Sequence, residues 1–92
     1  MNKVLLVEDD QILARLYQSK FQKEGFDIQL AFDGQDGLDK MRSFLPELII
    51  LDLIMPKVDG FNFLEKVKGD SELSKRGTPI LVLSNLGQES DI

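Results

Sequence analysis

The chain has 92 residues, a formal net charge of −5, no cysteine and no histidine. A chain of this size makes one small domain that buries about 60–65% of its unfolded surface. Its composition excludes disulfides, thiolate or imidazole metal sites, and Cys or Ser-His-Asp catalysis, and it fits a reducing, cytoplasmic setting. The acidic balance, with no Lys/Arg cluster, argues against nucleic acid or an anionic membrane as partner, and no window reaches the roughly 18–20 apolar residues of a membrane span.

Val4-Leu5-Leu6-Val7 is a short, wholly apolar run that ends abruptly in Glu8-Asp9-Asp10. A run of this kind reads as a parallel strand covered on both faces, delivering three acids at its carboxyl end. From 11 to 24 the period changes, with Leu13, Leu16, Tyr17 and Phe21 on one face. This predicts an amphipathic helix capped by Asp9 or Asp10, stopped by Gly25, and with that stripe in the core. Residues 26–31 alternate apolar and polar, which suits an edge strand. Asp33-Gly34 turns the chain into a helix with Leu38, Met41 and Leu45 inward, weakened by Gly37 and ended by Pro46.

The run 48–53 is a second strand buried on both faces, and Asp52 lies within it. A lone carboxylate in such a strand is either a strand-end cap or a group held at the carboxyl end of a parallel sheet, where open α/β sheets place their ligands. Residues 55–60 form a loop, and a helix follows with Phe61, Leu64 and Val67 inward. The stretch 69–77 is polar and reads as loop, and 79–84 is a last apolar strand ending in Ser84. The order β-α-β-α-β-α-β with short connections predicts a doubly wound parallel α/β sheet. That topology carries Glu8, Asp9, Asp10, Asp52 and Ser84 to one rim, which favours the functional reading of Asp52. Clustered carboxylates without His or Cys call for a hard cation such as Mg²⁺ or Mn²⁺. Beside a metal, Asp52 is either a ligand or a nucleophile toward a phosphoryl group, with Ser84 placed to donate to a phosphoryl oxygen. No phosphate-binding loop of the Gly-x-x-x-x-Gly-Lys type is present.

Three stretches in order, Val4-Leu-Leu-Val-Glu8-Asp9-Asp10, Leu48-Ile-Ile-Leu-Asp52-Leu-Ile-Met55-Pro56-x-x-Asp59-Gly60 and Pro79-Ile-Leu-Val-Leu-Ser84, together resemble the receiver domain of bacterial two-component response regulators. The resemblance spans the whole chain and implies a flavodoxin-like receiver fold. It implies that Asp52 is the phosphoacceptor, taking phosphate from the phosphohistidine of a sensor histidine kinase in a Mg²⁺-dependent transfer. By the same resemblance Glu8 and Asp9 match the acidic pair, with Asp10 as an alternative member or only a helix cap. The Ile54 backbone carbonyl matches the third protein ligand, and Ser84 the hydroxyl that reports the phosphoryl group. Such a module is a signalling switch with at most slow self-phosphorylation and dephosphorylation, not a turnover enzyme.

The family pattern continues with a further helix, strand and helix, carrying a Lys that pairs with phosphate and an aromatic residue that moves with the hydroxyl. Residues 1–92 are accordingly expected to be one receiver domain, incomplete at the C-terminus, with strand order 2-1-3-4. None of Lys57, Lys66, Lys68 or Lys75 stands in the context of that Lys, and Asn85 is larger than the small residue usual beside Ser84. The expected consequence is an unpaired apolar fourth strand and an uncovered sheet face, through which the chain forms a dimer or higher oligomer. The alternative function is a truncated receiver without efficient phosphotransfer that serves oligomerisation or partner docking. A metal-dependent phosphatase with a strand-end Asp nucleophile is disfavoured, because its second acid would fall at Ile54.

Overall fold

Lys3–Val7 forms β1, Gln11–Lys23 α1, Asp27–Ala31 β2, Gly34–Phe44 α2 and Leu48–Asp52 β3; Gly60–Gly69 forms α3, Ser71–Arg76 α4 and Ile80–Leu83 β4. The computed structural model describes residues 2–52 and 60–83, and only the backbone of Asp52, Gly60, Phe61 and Leu83. The four strands make one parallel sheet in the order β2-β1-β3-β4. This is the flavodoxin-like order expected from the sequence, with β2 and β4 outermost among the described residues.

The apolar runs make the centre of the sheet because both of their faces are covered. Leu5, Val7, Ile49 and Leu51 pack with Leu38 and Met41 of α2, Phe63 and Val67 of α3, and Leu73 of α4. Val4, Leu6 and Ile50 pack on the other face with Ala14 of α1 and with Ile28 and Leu30 of β2. Strand alternation divides these side chains between the two faces. Phe63 is wholly buried and is among the largest side chains that are.

Several expectations are corrected. The inward side of α1 is Ala14, Tyr17 and Phe21, while Leu13 and Leu16 stay exposed, Leu16 at 58%. The apolar stripe read from the sequence is wider than the surface α1 covers, because α1 lies over β2. In α2 the buried residue of the last turn is Phe44; Leu45 is the half-exposed C-cap in the left-handed region at φ 55°. In α3 the sequence reading missed Phe63. Phe61's side chain lies outside the described residues, and Leu64 is partly buried.

The polar stretch 69–77 is not a loop. Asp70 caps α4 by accepting from the N–H groups of Glu72 and Leu73, and Gly77 closes it in the left-handed region at φ 61°. A capping Asp, one buried Leu and a C-terminal Gly suffice for a six-residue helix once neighbouring elements supply the packing. Two arginines tie α4 to α2. Arg42 pairs with Asp70, and Arg76 donates to the Met41 carbonyl at 2.8 Å.

Candidate phosphoacceptor site

β1 and β3 are adjacent and parallel, with Val7 opposite Leu51. Continuing that register sets Glu8 level with Asp52 on strands about 4.8 Å apart. The Glu8 N–H donates to the Ala31 carbonyl at 2.9 Å, prolonging the β1–β2 ladder by one bond. That bond holds Glu8 on the strand axis, and its side chain is only 3% exposed. Glu8 Oε2 accepts from the Asp10 N–H at 3.1 Å. A buried acid needs such donors, or a cation, to offset the loss of water.

The three consecutive acids have separate roles. Asp10 is the N-cap of α1, its Oδ1 accepting from Ile12 N–H at 3.0 Å and Leu13 N–H at 3.1 Å. That employment turns Oδ1 of Asp10 to the helix and makes Asp10, not Asp9, the cap of α1. Asp9, between the strand end and the cap, is half-buried. Asp52 closes β3 in register with Leu83, the last residue of β4. The topology thus brings Glu8, Asp9 and the Asp52 backbone to one rim. The side chain of Asp52, together with Ile54, Ser84 and Asn85, lies outside the described residues. Among the described residues no group of three or more acids stands ready to hold a metal ion.

Chain comparisons agree with this geometry. Residues 4–92 match the response regulator receiver domain family. The chain belongs to that family. Response regulator ArlR of Staphylococcus aureus is 37% identical over 84 residues, which are 91% of this chain and 36% of that protein. The chain therefore spans about a third of the length of the curated relatives it matches. Among solved structures, the receiver domain of the Francisella response regulator 1452 is 30% identical with a TM-score of 0.81, covering 99% of this chain and 72% of the other. Chemotaxis protein CheY4 of Vibrio cholerae is 32% identical with a TM-score of 0.83, covering 99% and 75%. A receiver is a two-component signalling module. No helix among this receiver's described residues is long and apolar enough to cross a membrane.

Proposed function

We propose that this receiver is a cytoplasmic phosphoacceptor: Asp52 takes a phosphoryl group from the phosphohistidine of a sensor histidine kinase. The observation that carries the reading is the placement of Asp52 at the carboxyl end of a central strand, level with buried Glu8, in a chain of this family. The donor set is all oxygen, which suits a hard cation. Glu8, Asp9, Asp52 and the Ile54 carbonyl would hold Mg²⁺, and a bound Mg²⁺ supplies positive charge against the transferring phosphoryl group.

In the transfer the P–N bond to the kinase imidazole breaks and a P–O bond to an Asp52 carboxylate oxygen forms. The imidazole keeps the electron pair of the broken bond and takes a proton. Asp52 has to stay ionised to attack, and Ser84 donates a hydrogen bond to a phosphoryl oxygen. Water later cleaves the acyl phosphate, which returns the carboxylate and inorganic phosphate. The module therefore acts as a switch, and its hydrolysis is slow.

A second reading is favoured by the apolar side chains left in water on α1 and β4: Ile12 at 78%, Leu16 at 58% and Leu81 at 52% exposure. In it the chain self-associates or docks a partner through these surfaces and transfers phosphate poorly. One experiment separates the two. The chain is titrated with Mg²⁺ by calorimetry, then treated with phosphoramidate and weighed intact. One phosphoryl group per chain, lost in Asp52→Asn, supports the phosphoacceptor. Mg²⁺ uptake without phosphorylation favours the association module.

A further inference from the structure

Glu8 depends on β2 for its placement. Its N–H donates to the Ala31 carbonyl at 2.9 Å, a bond only as fixed as the carboxyl end of β2. Backbone groups alternate across a strand, so an Ala31 carbonyl turned to β1 leaves the Leu30 carbonyl turned the other way. Lys40 of α2 meets it there, its Nζ donating to Leu30 O at 2.5 Å. On the other side of Ala31, the Phe32 N–H donates to Asp36 Oδ2 at 3.4 Å, and the same oxygen pairs with Lys40 Nζ at 3.5 Å. Residues 30 and 32 are thus fastened to α2, and residue 31 between them fastens Glu8.

The fastening is itself supported. Asp36 and Lys40 are one turn apart on α2 and half-buried. The Asp36 N–H donates to Asp33 Oδ1 at 2.8 Å, the N-cap bond of α2. Below them Leu38 and Met41 seat α2 on Leu5, Val7 and Ala31. The bond from an ammonium to a carbonyl is charge-assisted, and so among the stronger ones. From the other face of the sheet, Arg15 of α1 lies over the Phe32 ring at 6.0 Å. That helix starts at Asp10, whose N–H holds the Glu8 carboxylate. Both helices therefore converge on the strand ends that carry Glu8.

We propose that Lys40, with Asp36, is a positioning residue of the acidic rim: by holding residues 30–32 it keeps the Ala31 carbonyl against the Glu8 N–H, and so keeps the Glu8 carboxylate level with Asp52. The cation-binding part of this rests on the phosphoacceptor reading above; the placement of Glu8 rests on the hydrogen bonds alone. Without Lys40 the end of β2 is free to draw away from β1, and Glu8 loses the acceptor that fixes its backbone. The charge of Lys40 acts in the opposite sense. A positive charge near an acidic rim lowers the affinity of that rim for a cation. Removing Lys40 therefore tightens Mg²⁺ binding if charge is all that matters, and weakens it if position decides.

Lys40→Met keeps the apolar stem and removes the donor and the charge. In the Mg²⁺-free chain, hydrogen exchange of the Glu8 amide, followed by NMR, is expected to speed up about tenfold relative to the amides of β3, which report opening of the whole sheet. Calorimetric titration is expected to show the Mg²⁺ Kd raised about threefold to tenfold, no more than a group supporting a metal ligand is worth. Lys40→Arg restores a charged donor and is expected to return both quantities toward those of the parent. Exchange at Glu8 that speeds up no more than in β3 overturns the fastening and leaves Lys40 a general stabiliser. A Kd lowered or unmoved by Lys40→Met overturns the positioning of the cation site. Failure of Lys40→Arg to restore either quantity overturns the role of the donor. A parent chain that takes up no Mg²⁺ overturns the metal reading and the part of Lys40 in it. Exchange at Glu8 still reads the placement in that case, and phosphoramidate labelling of Asp52 reads the phosphoacceptor, so the failures remain distinct.

Discussion

Gly37 of α2 lies so close to Phe63 of α3 that a Cβ on it would stand 2.9 Å from Phe63 Cε1 and 3.1 Å from Val7 Cγ2. The glycine read from the sequence as a weakness of α2 is the contact that lets α2 and α3 close over the sheet. In an open helix Gly→Ala would stabilise by about 0.5–1 kcal/mol. Here overpacking outweighs that gain, since added carbon in a packed core costs about 1–3 kcal/mol.

Gly37→Ala is therefore expected to destabilise the fold by about 1 kcal/mol in urea unfolding. Pairing it with Phe63→Leu is expected to give a double mutant less destabilised than the sum of the two singles, because the clash is with that ring. Strict additivity would show that the ring is not what the new methyl meets.

Asp9 and Asp10 are neighbours with opposite expected phenotypes. Asp10→Ala removes a cap that accepts two N–H groups and is expected to cost about 1 kcal/mol of stability while leaving Mg²⁺ affinity nearly unchanged. Asp9→Asn is expected to do the reverse. It should weaken Mg²⁺ binding by at least the roughly tenfold that even a supporting group is worth. Calorimetric titration of both variants, beside their unfolding curves, checks the division.

Asp70 links α4 to α2. The N–H of Leu73 is the main group that lowers its pKa below the ordinary 3.8, and the Arg42 guanidinium and the Glu72 N–H lower it further. A carboxyl whose folded pKa is depressed contributes stability that is present above its unfolded pKa and lost as pH falls through the folded value. The contribution is thus complete at neutral pH and disappears on acidification below about pH 4. Asp70→Asn is expected to flatten that acid limb of the stability curve, with little effect on its shape above pH 5. Unfolding at stepped pH values tests it.

Leu45 holds a left-handed conformation that costs an L-residue about 1–2 kcal/mol. Its side chain is half-exposed, so glycine at this C-cap forfeits little burial. Leu45→Gly is expected to stabilise the fold by about 0.5 kcal/mol after glycine's greater unfolded-state freedom is subtracted. A loss of stability would mean that Leu45 packs more than its exposure indicates.

Apolar runs with abrupt acidic ends made the central strands, their parallel pairing and the gathering of Glu8, Asp9 and Asp52 legible from residues alone. A strand buried on both faces admits few other side chains, and parallel strands end together. Helix faces were less legible. The stripe on α1 promised a buried Leu13 and Leu16, but burial needs a neighbour, and among the described residues α1 packs mainly over β2. Nothing local distinguishes a stripe that meets a sheet from one that meets water.

The strand order that carries the Asp52 backbone and the acids following β1 to one rim was determined by the sequence itself, through apolar runs with abrupt acidic ends. Only the tertiary structure assigned Asp10 to capping α1, buried Glu8 while leaving Asp9 half-open, and revealed α4 in a polar stretch. Those outcomes depend on which backbone N–H groups are left without a partner and on which surfaces meet after the sheet has formed. Both are properties of the assembled chain, and no single stretch of it contains them.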